Sequence, residues 1–289
     1  MLGCHIDDMK ASAFSPAHIT GIFRIYKNGS AGAGINLDKG METTVFAEDG
    51  KGTKIRINGK EENAKTSRVV VRKFREITGY TKRIVVEHAA ALPIGYGLGM
   101  SGAGALSLSL ALNRALGAGL KREECMRVAH DAEIECGTGL GSVDAESIGG
   151  FVTRRKAGAR NARRIRLGKS EKGLLVVCGF FSPMSTKSVI RSRGWKEKIN
   201  AVGEKCLEEF WSSPSLENFL SASRRFTIET GLGRWCGRIM KEEKRTSMAM
   251  LGKTIFTITD KPDDAVKEYG KYAKNVSVLR IGKKGAHML

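Results

Sequence analysis

The chain has 289 residues, 41% hydrophobic and 7% aromatic, enough apolar material for packed cores and far from the composition of a disordered polymer. Its 35 glycines against five prolines exclude a Pro-rich linker or a collagen-like repeat. The formal charge of +19 invites a nucleic-acid reading, but it is weakly localised along the chain.

The opening MLGCHIDDMK lacks a charged-then-apolar signal layout, and no apolar run approaches the roughly eighteen residues of a membrane span, so a cytoplasmic protein without a membrane partner is expected. Residues 19–58 alternate short β-type stretches (ITGIFRIY, METTVFAE, TKIRIN) with Gly, Asn and Asp turns, the pattern of an antiparallel sheet. SRVVVRKFREITG predicts an amphipathic helix closed by Gly79, and KRIVVEHAAALP a strand ending near Pro93. The stretch ALSLSLALNRALG is apolar around nearly its whole circumference, so it predicts a buried central helix. REECMRVAHDAEIECG predicts a second helix ended by Gly137, and GTGLGSVDAESIGGFVTRR a glycine-rich connection returning to a strand. A first domain over residues 1–155 follows.

The densest basic run is Arg154, Arg155, Lys156, Arg160, Arg163, Arg164, Arg166 and Lys169, with no acid among them and no aromatics interleaved for base stacking. It reads as a solvated hairpin and not as a nucleic-acid surface, with Arg154 set apart as a possible bidentate clamp for a carboxylate or phosphate. GLLVVCGFF then predicts a buried strand, two helical segments fill roughly 187–245, and TIFTI and NVSVLRI supply strands around a helix at 262–271. These make a second α+β domain over residues 156–289. Cys4, Cys125, Cys136, Cys178, Cys206 and Cys236 are scattered without a C-x-x-C pair or metal-ligand spacing, which points to reduced, mostly buried thiols.

The most informative stretch is PIGYGLGMSGAG, a glycine loop feeding the central helix. Glycines just before a helix let backbone N–H groups and the helix dipole approach an anion, so Gly95, Gly97, Gly99 and Gly102 suit phosphate binding; singly, each could equally serve tight helix packing. Gly97, Gly99 and Gly102 also satisfy G-x-G-x-x-G, but a dinucleotide fold needs a second strand with an acid about twenty residues on, and here a second helix follows. LGKT at Leu251–Thr254 lacks the first Walker glycine and runs into a strand. Ser101 in GMSGA resembles a hydrolase elbow except that Ala103 stands at the second glycine.

Three segments together resemble the motifs of the GHMP kinases, the superfamily of galactokinase, homoserine kinase, mevalonate kinase and phosphomevalonate kinase: Ala13–Phe23 (AFSPAHITGIF), Pro93–Ser107 (PIGYGLGMSGAGALS) and Ser247–Phe256 (SMAMLGKTIF). Within it, SPAHITGIF, GSAGAGINL, GLGMSGAGALS, GTGLG and SMAMLG are similar to the archaeal pantoate kinases, and His18 stands where mevalonate kinases carry lysine. The resemblance implies an α+β, two-domain GHMP kinase fold: an N-terminal domain with a left-handed βαβ crossover, a ferredoxin-like C-terminal domain, and ATP between them. It implies ATP and Mg²⁺ as cofactors, pantoate as acceptor in a step toward coenzyme A, and a homodimer. The ATP-binding residues would be Pro93, Gly95, Gly97, Leu98, Gly99, Met100, Ser101, Gly102 and Ala103. Ser101 and Glu133 would face the metal, and Ser30, His130, Arg154 and Thr186 the substrate. Read as residues alone, Ser101 could be a helix N-cap, Glu133 a solvated surface acid and His130 a structural histidine.

The chain departs from the resemblance after GTGLG, where archaeal pantoate kinases carry Asp and this sequence has Ser142. Asp144, eleven residues beyond Glu133 in a GSVD string that echoes the S-G-x-D of mevalonate kinases, is the expected proton acceptor, with Glu133 and Ser142 beside it in the catalytic set; a surface loop carboxylate is the rival reading. Other GHMP activities of the mevalonate or homoserine type, a nucleotide-binding kinase without turnover and a basic RNA-associated module are the alternatives to a pantoate kinase.

Overall fold

The computed structural model describes residues 9–166 and 173–289; the expectations for Cys4 and Lys169 lie outside the described residues. Two long strands open the chain, β1 (Lys10–Tyr26, 17 residues) and β2 (Gly29–Glu48, 20 residues), paired antiparallel over nearly their whole length. They replace the shorter strands and turns expected there. The GSAGAG segment stays extended because its glycines leave room for neighbours: a Cβ at Gly34 would meet the His18 ring, and one at Gly32 would meet Arg154 and Phe23. Register shifts at Pro16/His18 and Thr20/Ile22 bend β1 beside this segment.

Then follow β3 (Thr53–Ile57), β4 (Lys60–Glu61), α1 (Lys65–Thr78) and β5 (Arg83–Ala90). β3 pairs parallel with β5, and α1 makes the crossover between them. α1 ends where expected, on Gly79 in the left-handed region at φ 69°. α2 (Met100–Ala115) is the central helix, buried on almost every side as its composition predicts. α3 (Arg122–Cys136) packs against it and stops at Gly137, also at φ 69°. The glycine-rich connection hides a short helix, α4 (Ser142–Glu146), before the hairpin of β6 (Phe151–Arg154) and β7 (Ala162–Ile165). Arg155, Lys156, Arg160, Arg163, Arg164 and Arg166 of the basic run are exposed, whereas Arg154 turns inward and is only 1% exposed.

The remaining elements are β8 (Leu175–Ser182), α5 (Thr186–Ile190), α6 (Arg193–Ser212), α7 (Leu216–Thr230), α8 (Gly237–Glu242), β9 (Ser247–Ala249), β10 (Lys253–Thr259), α9 (Pro262–Gly270), β11 (Asn275–Arg280) and β12 (His287–Met288). Two sheets result. The first has eight strands in the order β12-β1-β2-β5-β3-β4, with β6 on β2 and β7 on β6; the second has four in the order β11-β8-β10-β9. A division at residue 155 leaves β7 and β12, both members of the first sheet, on the far side, because the chain end returns to pair with Ala13 and Phe14. One continuous apolar core joins the sheets: Phe151 of β6, Phe210 of α6, Phe219 of α7 and Phe256 of β10 meet in it. Cys125, Cys178, Cys206 and Cys236 are buried free thiols and Cys136 is half-buried. Among the described residues no helix is long and apolar enough to cross a membrane.

Candidate active site

The glycine loop is held in place by both sheets. The His18 amide of β1 donates to the Leu98 carbonyl at 2.9 Å, and Thr254 Oγ1 of β10 donates to the Tyr96 carbonyl at 2.7 Å. The β9–β10 turn presses so closely on the loop that a side chain at Gly252 would run into the backbone of Tyr96 and Gly97. Gly95, Gly97 and Gly99 adopt φ of 86°, 82° and 66°, a region that disfavours any side chain. No side chain caps α2, so its first-turn amides and its positive dipole end are free to face an anion.

Two cavities meet at this helix start and share Gly95, Met100, Ser101, Thr138 and Thr186 in their walls. The larger, of about 440 Å³, also reaches Ile57, Lys65, Thr66, His88, Ile94 and Lys187. The other is the polar one. It is lined by His18, Ser30, Gly97, Leu98, Gly99, Glu133, Ser142 and Arg154, among others.

At the shared wall, Ser101 Oγ and Thr138 Oγ1 each donate to Glu133 Oε1 at 2.6 Å. Glu133 is 2% exposed, so it is not the solvated surface acid of the rival reading. Burial raises its pKa above the ordinary carboxylate value, and the hydroxyls of Ser101, Thr138 and Ser142 counteract the rise. Among the described residues no three His, Cys, Asp or Glu side chains come together as a cation site. The oxygen pair of Ser101 and Glu133 suits Mg²⁺, which takes few protein ligands and completes its coordination with phosphate oxygens and water.

Arg154 enters from β6. Its Nη2 lies 3.4 Å from Ser30 Oγ, while Nε and Nη1 have no hydrogen-bond partner although they are buried. Burial lowers its pKa, and the nearby carboxylates of Asp144 and Glu146 oppose that. A buried guanidinium with two idle donors is a ready receptor for a carboxylate or phosphate.

The cavities bring together Ser30, Gly95, Gly97, Leu98, Gly99, Met100, Ser101, Glu133, Ser142, Arg154 and Thr186. They do not reach Pro93, Gly102, Ala103, His130 or Asp144. His130 backs the β1–β2 turn, its Nε2 3.3 Å from the Asn28 carbonyl and its Nδ1 unpartnered. Asp144 faces the hairpin: Oδ1 accepts from the Arg160 amide at 2.9 Å, and Oδ2 from those of Asn161 and Ala162 at 2.8 Å each. With three backbone donors on it, this carboxylate braces the β6–β7 connection; it lines neither cavity, though it lies near enough to Arg154 to act on its charge.

The sequence reading missed Glu146. Its carboxylate is fully buried, neither oxygen has a hydrogen-bond partner of good geometry, and it lies against the bare α-carbons of Gly99 and Gly102. Ser142 Oγ and Glu133 Oε2 crowd the same point beside Gly102, so that glycine makes room for a carboxylate pair. Burial first, and then the Glu133 charge, raise the Glu146 pKa well above its ordinary value. The available signal was spacing: Ser142 and Glu146 are four residues apart in α4 and so share a face.

The carboxylates give two opposite predictions. Asp144→Ala leaves three backbone amides, that of Ala162 buried, without their acceptor and is expected to cost about 2–4 kcal/mol in urea denaturation; a cost below about 1 kcal/mol would contradict the bracing role. For Glu146 the folded pKa lies above the unfolded value of 4.5, so stability falls as pH rises from that value toward the folded pKa and stays lower above it. Glu146→Gln is therefore expected to stabilise the nucleotide-free protein at pH 7 by about 1–3 kcal/mol, and the gain should vanish near pH 4.

The family described as GHMP kinases N terminal domain matches residues 65–147. A protein of Methanocaldococcus jannaschii named Pantoate kinase is 36% identical over 279 residues, covering 93% of this chain and 99% of that protein. A solved structure described as a phosphotransferase related to CoA biosynthesis pathway superposes with a TM-score of 0.82 at 26% identity, over 97% of this chain and 98% of that one. The structure of MDDEF in complex with MVAPP, AMPPCP and magnesium superposes with a TM-score of 0.75 at 16% identity, over 97% and 98% of the two chains, a likeness of fold.

Proposed function

The chain belongs to the GHMP kinases and, within them, to the pantoate kinase family, and from that premise we propose that it transfers the γ-phosphoryl group of ATP to the 4-hydroxyl of pantoate, giving 4-phosphopantoate and ADP on the way to coenzyme A. The observation that carries this acceptor is Arg154, a buried cation with two unused donors in the polar cavity beside the helix start. Pantoate supplies the carboxylate that such a group requires.

Phosphoryl transfer asks a protein chiefly to align donor and acceptor and to balance charge on the moving group. The larger cavity accommodates the nucleoside, and the amides at Gly97–Ser101 hold the phosphates at the wall common to both cavities. Ser101 and Glu133 would hold Mg²⁺, which when bound neutralises phosphate charge. Arg154 and Ser30 hold the acceptor carboxylate, and Thr186, at the shared wall, borders both substrates. Ser142 lies on the acceptor side and orients the attacking hydroxyl; a loose transition state places little demand on a base. Asp144 serves the reaction at one remove, by bracing the hairpin that delivers Arg154, and His130 supports the β1–β2 turn behind Ser30.

In the same reading the β3–α1–β5 unit is the left-handed crossover, and the β11-β8-β10-β9 sheet with its helices is a ferredoxin-like domain. The protein acts as a cytoplasmic homodimer. Ser142, standing where the resemblance expects Asp, favours one alternative: a protein that binds ATP without turnover.

A coupled ADP assay separates these. Pantoate-dependent ADP release is expected, and Arg154→Met should lower kcat/KM for pantoate by on the order of 10²-fold while leaving the KM for ATP within about threefold. ATP binding without ADP release, or a pantoate kcat/KM indifferent to Arg154, would defeat the proposal.

A further inference from the structure

The acceptor cavity contains a second buried group with unused hydrogen-bonding capacity. His18 is 1% exposed and lines the same cavity as Arg154, and its Nε2 has no partner.

Asn36 fixes which nitrogen of His18 carries hydrogen. The Asn36 amide Nδ2 donates to the Ala145 carbonyl at 2.9 Å and the Gly150 carbonyl at 3.4 Å, so Oδ1 is the atom turned toward His18 Nδ1, 3.1 Å away. That oxygen can only accept, so Nδ1 carries the hydrogen and Nε2 presents a bare lone pair. Burial, followed by the Arg154 charge, lowers the imidazole pKa to about 3, and the neutral ring persists throughout the physiological range. The cavity thus offers an acceptor-only nitrogen at His18 and a donor-only group at Arg154.

β2 sets the spacing of the two. A Cβ on Gly34 would stand 2.6 Å from His18 Nε2, and one on Gly32 would stand 3.3 Å from Arg154 Nη2. Residues two apart on a strand share a face about 7 Å apart. The two side chains therefore stand side by side against one face of β2, where a single small acid can meet both.

We infer that His18 Nε2 accepts a hydrogen bond from the 2-hydroxyl of a 2-hydroxy acid whose carboxylate is held by Arg154, which makes His18 the residue that selects this substrate class. The inference rests on the reading of this cavity as the acceptor site of a hydroxy-acid kinase and adds its second anchor. The hydroxyl that becomes phosphorylated is a different one, directed toward the Ser101–Glu133 end, and His18 takes no proton. An acid lacking the 2-hydroxyl would bury the Nε2 lone pair unpaired, the circumstance in which polar sites discriminate most strongly.

The test compares two acceptors, pantoate and 4-hydroxy-3,3-dimethylbutanoate, which differs only by the missing 2-hydroxyl. The wild-type protein is expected to favour pantoate in kcat/KM by at least about 10²-fold. His18→Phe, which keeps a ring but no nitrogen, should bring the ratio to within about threefold of unity by lowering the pantoate value. Near-equal use of both acids by the wild type, a measurement that needs no variant, overturns the inference while leaving the kinase reading intact; so does an unchanged ratio in His18→Phe. No ADP from pantoate with the wild type would overturn the kinase reading and the inference with it.

Discussion

A glycine turn pinned from two sides is the constraint on which the rest of the site depends. Free glycine loops lose much entropy on ordering, and a loose one would present its amides in many directions. Here β1 fixes one end through the His18 amide and the Leu98 carbonyl, and β10 fixes the middle through Thr254 and the Tyr96 carbonyl. The backbone of Gly252 closes over it. The three sequence segments that resemble GHMP kinase motifs are far apart in the chain because they are the turn and its two clamps. Helix α2, buried on nearly every side, supplies the rigid base behind them.

Around this turn the protein gathers polar groups whose mutual needs are only partly met. Glu133 has hydroxyl partners, Glu146 has none of good geometry, and Arg154 and His18 each keep idle atoms at the polar cavity. Buried polar groups without partners destabilise a fold, and their clustering at one cleft is what a site completed by charged ligands looks like. In the proposed reaction, ATP with Mg²⁺ and a hydroxy-acid carboxylate would supply the missing charges. Among the described residues of the basic run, the arginines around β6 and β7 are exposed and Arg154 alone turns inward.

The sequence was informative where local chemistry dictates geometry. Gly79 and Gly137 end their helices in the left-handed conformation that glycine permits, α2 is buried as its uniform apolarity requires, and Arg154 differs from its exposed neighbours in being buried. It was less informative where long-range packing decides. The GSAGAG segment looks like a turn until the side chains that fill its missing Cβ positions are in place. α4 is too short for its periodicity to show within a glycine-rich connection, so Asp144 and Glu146, two residues apart, could not be assigned to opposite tasks. Asp144 echoes a known spacing from Glu133, yet its direction is set by three amides of the β6–β7 connection that no local pattern reveals. The return of β12 to the first sheet is likewise a contact between the two ends of the chain.

The central claim is that the pinned turn ahead of α2 presents main-chain amides to a triphosphate. A crystal structure with a non-hydrolysable ATP analogue and Mg²⁺ tests it most directly. The account predicts phosphate oxygens within hydrogen-bonding distance of the amides between Gly97 and Ser101, with the base in the larger cavity; a nucleotide bound elsewhere, with that turn vacant, would contradict it.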